Sequence, residues 1–561
     1  MPLWWAVAVA AALTVVACGL TPPEAPETPG QPNFLVIVAD DLGFSDLGLM
    51  GSEIRTPNLD ALAATGTVLT NFHVAPTCSP TRAMLLTGVD THPAGLGTMS
   101  GEQSVEQIGQ PGYEGVMSDR VVTVATLLRE AGYQTYHVGK WHLGAEPGQQ
   151  PTDRGFERSF GPARGGASHF SDQLRMFFDD EENSRALYLE DGKPVERLPE
   201  DFFSSESYTD KLIAQLEGGR GDGRPFFAYA SYTAPHWPLQ VPDEWLDRYA
   251  GTYDAGWDTL RARRVAALRD RGLIPDNTQS PDLVAWEDPW HTLTPVKQRH
   301  ASRRMELYAA MVENLDHHIG RLLAYLTQSG QFDNTLIVFL SDNGAEGNLV
   351  NRIAADWNWV ERRFDNRLEN LGRRGSYVFT GPGWAQASTA PFGYYKAFPS
   401  EGGTRTPAIF SGVGVNGGIT SQSFATVKDL TPTLLDLAGV PRPRGLFNGR
   451  AVASIEGSSL APLLSGATNR VHNTDYEVGW ELFGRRAMRV GDWKILWLYE
   501  PYGEGRWWLF DLASDPAETN DLSRDRPEKL AEMVAAWDRY AAANQVVLPA
   551  SDAGYGREDP W

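Results

Sequence analysis

The sequence is poor in cysteine, in positive charge and in long apolar runs. Only two of its 561 residues are cysteine, Cys18 and Cys78, too few for a disulfide framework. Lys and Arg number 49 against 71 Asp and Glu, a formal net charge of −22. The basic face that a nucleic-acid binder needs is therefore not expected. The same imbalance repels an anionic substrate at long range, so any pocket for one must gather its own cations. The apolar run Leu3 to Ala17 is short for a bilayer span. There is no heptad pattern and no repeat at a fixed period, which removes coiled coils and solenoids.

What is present is an ordinary globular composition, 42% hydrophobic and 21% charged. The length permits one large domain with a smaller companion. The 18 Trp and 19 Tyr include candidates for aromatic-lined clefts, although most serve as core and surface aromatics. Residues 1–18 read as an export signal. Val15-Val16-Ala17-Cys18 resembles a bacterial lipoprotein processing site, at which Cys18 becomes a lipid anchor. Met1 to Trp5 departs from that pattern, because it holds no Lys or Arg. Residues 19–31, with Thr21 to Gln31 reading TPPEAPETPGQ, form a Pro-rich tether. The expected location is the periplasm or the cell envelope.

From Asn33 onward strands and helices alternate, which predicts an α/β fold. Phe34 to Val38 is a short apolar run followed by Asp40-Asp41, as expected of a buried strand with two carboxylates beyond its end. A helix over Thr56 to Thr65 and another over Val121 to Ala131, closed by Gly132, are expected next. Strands follow over Tyr133 to Val138, Pro225 to Tyr232 and Thr335 to Leu340, with a long amphipathic helix over Met305 to Gly330. These strands end beside Gly139-Lys140, Pro235-His236 and Asp342-Asn343. In an open α/β sheet, sites lie beyond the carboxyl ends of the strands, so these groups should converge. Later come a helix at Asp429 to Ala438, strand candidates at Ala487 to Leu498 and Arg506 to Leu512, and a last helix at Pro527 to Ala543.

The segment Cys78-Ser79-Pro80-Thr81-Arg82, running on to Thr87-Gly88, should open a helix. Ser79 is the expected cap, Pro80 suits the first turn, and Gly88 suits the close. Cys78 would then lie at a helix N-terminus, where backbone N–H groups favour anions. Arg82 lies one turn on, where its guanidinium could support an ionised nucleophile or a bound oxyanion. These features alone leave Cys78 open as a thiolate nucleophile, a metal ligand or a structural cysteine.

Cys-x-Pro-x-Arg followed by Leu-Thr-Gly resembles the signature of the formylglycine-dependent (type I) sulfatases of the alkaline phosphatase superfamily. The resemblance extends over nearly all of Asn33 to Trp561. It includes Gly139-Lys140-Trp141-His142, Thr233-Ala234-Pro235-His236, Ser341-Asp342-Asn343-Gly344, and Tyr395-Lys396 ahead of Glu401-Gly402-Gly403-Thr404-Arg405. Gly479 to Gly484 (GWELFG) leans towards the bacterial arylsulfatase branch. The fold so implied is a large mixed, mostly parallel central sheet flanked by helices, with a smaller C-terminal antiparallel-sheet α+β domain. Residues 32–465 would be catalytic and residues 466–561 the smaller domain.

The resemblance also implies the chemistry. A dedicated formylglycine-generating enzyme would oxidise Cys78 to an aldehyde, 3-oxoalanine, whose hydrate attacks the sulfur of a sulfate ester. Asp40, Asp41, Asp342 and Asn343, with the modified residue 78, would hold a divalent cation. All are oxygen donors, which suit calcium or magnesium over zinc, and the resemblance favours calcium. His142 would deprotonate the second hydroxyl of the hydrate and so release sulfate. His236 and Lys396 would sit by the leaving oxygen, as hydrogen-bond donors or general acid. Lys140 and Arg82 would supply local positive charge. Singly, each of these residues could be a turn, cap or surface group; in this order around Cys78 they form a constellation.

Aryl, alkyl and carbohydrate sulfates are all compatible substrates, with aryl sulfates preferred. Residues 347–392, with Trp357, Trp359, Arg362 and Arg363, are the candidate selectivity insertion. One rival activity is hydrolysis of phosphodiesters or phosphonates, which share the geometry. Another rival is a binding protein that holds sulfated glycans with Cys78 unmodified.

Overall fold

A computed structural model describes residues 31–175, 184–284, 288–349 and 359–555. The segment expected to be an export signal, with Cys18, most of the expected tether and Trp357, lies outside the described residues. The described residues from Pro32 onward form one compact unit.

The large sheet has eleven strands: β1 (Asn33–Ala39), β2 (Thr67–His73), β3 (Gln134–Gly139), β4 (Arg158–Pro162), β5 (Tyr188–Glu190), β6 (Lys193–Pro194), β7 (Phe226–Ser231), β8 (Thr335–Ser341), β9 (Arg405–Gly412), β10 (Ile419–Ser421) and β11 (Ala425–Thr426). Their order is β10-β2-β9-β8-β1-β7-β3-β4-β5-β6, with β11 also on β2. The run β8-β1-β7-β3-β4 is parallel throughout. Antiparallel pairings occur on either side, at β9 with β8 and β2 and at β5 with β4 and β6. This is the mixed, mostly parallel sheet expected of the α/β pattern.

Strand β1 is apolar throughout because both of its faces are covered. Leu35, Ile37 and Ala39 point into one core, shared with the helices Pro57–Thr65, Ser204–Gly219 and Pro295–Gln328. Phe34, Val36 and Val38 point into the other, shared with the helices Cys78–Thr87, Val124–Glu130 and Leu430–Ala438. After a two-residue ribbon, β12 (Leu446–Phe447) and β13 (Arg450–Ala451), a second sheet runs β14 (Glu477–Leu482), β15 (Arg485–Val490), β16 (Trp493–Trp497) and β17 (Trp507–Asp511). It is fully antiparallel, and the helix Pro527–Ala543 packs on it through Met533, Ala536 and Trp537.

Boundaries differ from the sequence-based expectation in several places, and the strand candidate Ala487 to Leu498 is divided between β15 and β16. The long helix begins at Pro295, ten residues before Met305, with the Thr294 hydroxyl accepting from Lys297 N–H. Its first turns, Pro295 to Arg304, carry few apolar residues, so the periodicity that marks the rest is missing there. The helix expected from Val121 begins at Val124, because Thr123 is its N-cap and accepts from Thr126 N–H. Ser79 caps nothing: Cys78 is already the first helical residue, Thr77 takes the cap position, and the buried Ser79 hydroxyl has no partner. Gly88 closes that helix in left-handed geometry (φ +66°), as a residue without Cβ can.

Candidate active site

Strand register sets the site. Ala39 pairs with Ser341, Val38 and Gly139 both pair with Ser231, and so β1, β8, β7 and β3 end almost level. The residues that follow therefore share one row: Asp40-Asp41, Asp342-Asn343, Lys140 and, after a short turn, His236. Strand β2 runs in the same direction, being antiparallel to β9, which is antiparallel to β8. Its end delivers Cys78 to this edge. Strand β9 starts at the same edge, and Lys396 lies just ahead of it.

The ten singled-out residues come together here, and nearly all are fully buried. Oxygens of Asp40, Asp41 and Asp342 and the Cys78 sulfur all lie within 4.8 Å of one another. Cys78 Sγ is 3.4 Å from Asp40 Oδ1 and 3.9 Å from Asp41 Oδ1. Lys140 Nζ pairs with Asp40 Oδ2 at 2.7 Å, and Lys396 Nζ with Asp41 Oδ1 at 2.8 Å. Asn343 donates its amide to Asp41 Oδ1 at 2.7 Å. His236 Nε2 lies 3.6 Å from Asp41 Oδ2.

Arg82 does something other than serve the thiol. Its Nε and a terminal nitrogen donate to Asp342 Oδ2 at 2.9 and 2.6 Å, and its other terminal nitrogen donates to Lys140 O and Ser231 Oγ. It therefore fixes a carboxylate and the end of β3. Two of the site residues hold left-handed backbone, Asp41 at φ +68° and His142 at φ +60°. For non-glycine residues this costs about 1 kcal/mol or more each and is concentrated at functional sites.

The electrostatics follow from burial and crowding. Burial opposes the Asp41 charge, but Lys396 and Lys140 outweigh it and hold the carboxyl well below its ordinary range. Asp342 moves the other way, raised by burial and by Asp40 despite Arg82. Burial opposes the Lys396 ammonium too, yet Asp41 and Glu346 keep it charged. Burial, with Lys140, Arg82 and Lys396, pushes His142 well below its usual value. His236 is likewise lowered by burial, although Asp41 partly offsets this. His236 Nδ1 lies 2.6 Å from Trp237 O, so the neutral ring carries its proton there and presents a bare Nε2 towards Asp41. Burial and Asp342 raise the Cys78 thiol far above its normal value.

These residues fit a hard divalent cation. Four carboxylates, Asp40, Asp41, Asp342 and Glu346, face three permanent cations, Lys140, Lys396 and Arg82. Asn343 Oδ1 is buried with no hydrogen-bond partner, an amide oxygen turned to no group of the protein. Oxygen donors of this kind are the usual ligands of calcium and magnesium.

Several contributors were not singled out in the sequence. Glu346, 3.3 Å from Lys396, is four residues beyond Asp342 in the same loop, a spacing that could have marked it. Gly165 and Gly166 form a backbone wall: a Cβ at 165 would stand 2.9 Å from the His142 ring, and one at 166 would stand 3.2 Å from His236. A cavity of about 410 Å³ opens over His142, with Trp237 and Tyr377 among its walls. The 347–392 insertion supplies Tyr377. Arg362 and Arg363 are exposed on the short helix Trp359–Arg363 and are not among the described residues that line this cavity.

The chain is similar to known proteins. The sequence model of the sulfatase family matches residues 32–440. An uncharacterized sulfatase of Schizosaccharomyces pombe is 43% identical over 536 residues, covering 93% of this chain and 95% of that one. An arylsulfatase of Klebsiella aerogenes is 39% identical over 462 residues, covering 81% and 96%. Among solved structures, that of Ps i-CgsB with k-i-k-neocarrahexaose superposes with a TM-score of 0.66 at 25% identity, covering 92% and 94%. With the family model across most of its length and two close relatives along nearly the whole of theirs, the chain belongs to the sulfatase family and is a sulfuric ester hydrolase.

Proposed function

We propose that the chain is an exported arylsulfatase whose nucleophile is a formylglycine made from Cys78 and whose cation is calcium. The observation that carries this reading is the convergence of Asp40, Asp41, Asp342 and Cys78 within 4.8 Å, with two lysines and two histidines around them. A bound dication would offset the excess of carboxylates and polarise the sulfate oxygens. Converted to an aldehyde hydrate, residue 78 would offer two hydroxyls on one carbon, one to attack sulfur and one whose proton loss frees sulfate.

The remaining roles belong to side chains of this chain. Asp40, Asp41, Asp342 and Asn343 would hold the cation through oxygen. Calcium accepts irregular shells of six to eight oxygens, which this mixed carboxylate and amide set resembles. Lys140 and Lys396, both buried and charged, flank the sulfate position. Arg82 is a positioning residue, acting through Asp342. His142 is neutral and its Nδ1 has no partner, so that nitrogen is open to a hydrogen bond or a proton from the hydrate. His236 presents an acceptor nitrogen, so proton or hydrogen-bond donation to the leaving oxygen falls to Lys396. The aryl preference draws support from the 39% identity to the Klebsiella aerogenes arylsulfatase and from the two aromatic walls, Trp237 and Tyr377.

All ten residues of the helix Cys78–Thr87 are buried. A maturation enzyme must therefore reach Cys78 before the chain folds, which for an exported protein means before or during passage out of the cytoplasm. Anchoring through a lipid on Cys18 completes the proposal. Mass analysis of the peptide carrying residue 78 tests the central part. An aldehyde or its hydrate supports it, whereas an intact thiol in protein from a host that matures sulfatases overturns it and favours a binding role.

A further inference from the structure

The cavity above His142 has an electrostatic feature that hydrolysis of a simple aryl sulfate does not use. Two arginines, Arg164 and Arg175, share its wall with Trp237 and Tyr377. Some buried arginines of this chain sit in tight ion pairs, as Arg82 does with Asp342 at 2.6 Å and Arg264 does with Asp46 and Glu53. Arg164 differs: the ion pair it makes, with Glu146, is loose at 3.9 Å, and both side chains are more than half exposed. Such a pair is worth little in water. Arg175 is partly buried, and burial together with the neighbouring Arg164 lowers its guanidinium from the ordinary value. Two guanidiniums thus share this wall, in a chain whose net charge is −22. An oxyanion lodged between them would accept from both forks.

The aromatic residues place this anion relative to the reacting sulfate. Trp237 packs against His236, ring centroids 4.4 Å apart, and against Tyr377 at 5.9 Å. A shelf of rings therefore runs from the catalytic edge outward along the cavity. The Trp237 indole N–H is buried with no partner, a spare donor on that shelf. The volume, about 410 Å³, is in the range of small-molecule sites.

We propose that Arg164 and Arg175 form an anion subsite, so that the enzyme selects sulfate esters whose ring bears a second oxyanion. This rests on the sulfatase reading of the adjoining site. Glu102 and Glu146 also stand on the cavity wall; Glu146 is 71% exposed and is expected to turn to solvent when the subsite fills.

The test compares 4-carboxyphenyl sulfate with its neutral isostere, 4-carbamoylphenyl sulfate. The carbamoyl compound has the better leaving group, so a preference for the carboxylate cannot come from bond chemistry. The wild-type protein should show kcat/KM at least about tenfold higher for the carboxylate probe, the range of a charge-assisted hydrogen bond. Arg164→Gln/Arg175→Gln should bring the ratio to about one, mainly through KM. Calorimetric binding of both probes to Cys78→Ala, with and without the arginine substitutions, reads the same preference without turnover. Equal binding of the two probes, or a ratio that survives the double substitution, overturns the subsite. Preferential binding without turnover of either probe by aldehyde-bearing protein would instead overturn the sulfatase reading and leave the subsite standing.

Discussion

Two kinds of buried charge cluster exist in this molecule, and they differ in whether they close on themselves. Around Glu401 the charges are matched. Its carboxylate takes Lys494 at 2.8 Å, His73 at 3.0 Å and Arg405 at 3.4 Å, and Lys494 reaches Glu518 at 2.8 Å. That cluster joins β16 of the small sheet to β2 and the start of β9 in the large one. The catalytic edge has the same ingredients but leaves ends open: carboxylates in excess, the Asn343 oxygen and the His142 nitrogen without partners. A closed cluster holds elements together, whereas one with unpartnered oxygen and nitrogen has donors to offer a ligand.

The largest effects should separate the two functionally. Cys78→Ala should lower kcat/KM for an aryl sulfate by at least about 10⁴-fold, as loss of a nucleophile does, while thermal unfolding stays near wild type. Residual activity within tenfold of wild type would remove residue 78 from the chemistry. Lys494→Met should do the reverse. It strands buried Glu401 and Glu518, and breaking a buried pair costs roughly 3–5 kcal/mol. Urea unfolding measures this, and a loss below about 1 kcal/mol would show that the cluster is not closed as described.

Much of this was legible in the sequence, and the parts that were not have physical reasons. The parallel strands are readable because burial on both faces makes them continuously apolar, as in β1. Once the strands are found, the groups at their ends follow, and Asp40, Lys140, His236 and Asp342 lie where strand register brings them. The first turns of Pro295–Gln328 were invisible because a helix end that buries little carries no stripe. Arg82 shows another limit. Helical spacing places it one turn from Cys78, but its partner, Asp342, is set by tertiary contact. Arg164, Arg175 and Trp237 come from irregular segments, where no period marks a residue that faces a cavity.

A second closed cluster offers a test by pH. His92 lies among Asp90, Glu481 and Tyr113. Burial opposes its charge, but hydrogen bonds to Asp90 and Glu481 outweigh this and raise it to about 9. With the folded value above the unfolded one, near 6.5, the stabilisation is fully present below pH 6.5 and is lost as pH rises through 9. It amounts to up to about 3 kcal/mol. His92→Gln should flatten the fall in stability between pH 7 and 9.5; an unchanged slope would mean that His92 is neutral in the fold.

The smallest expected effect is the most direct comparison, because the two clusters should respond with opposite sign. In chelator, Asp342→Asn removes one charge from a set of carboxylates packed within 4.8 Å, one whose ionised form burial and Asp40 already disfavour. The amide oxygen can still accept from Arg82. The substitution should therefore leave the metal-free protein as stable as wild type or more so, by about 1 kcal/mol, and should abolish the rise in Tm expected when calcium is added to wild type. Glu401→Gln, the same chemical change in the closed cluster, should lower Tm with or without calcium, since it weakens Lys494, Arg405 and His73 together. If Asp342→Asn also lowered Tm in chelator, the catalytic carboxylates would be balanced by Lys140, Lys396 and Arg82 alone, and the case for a cation at this edge would lose its electrostatic footing.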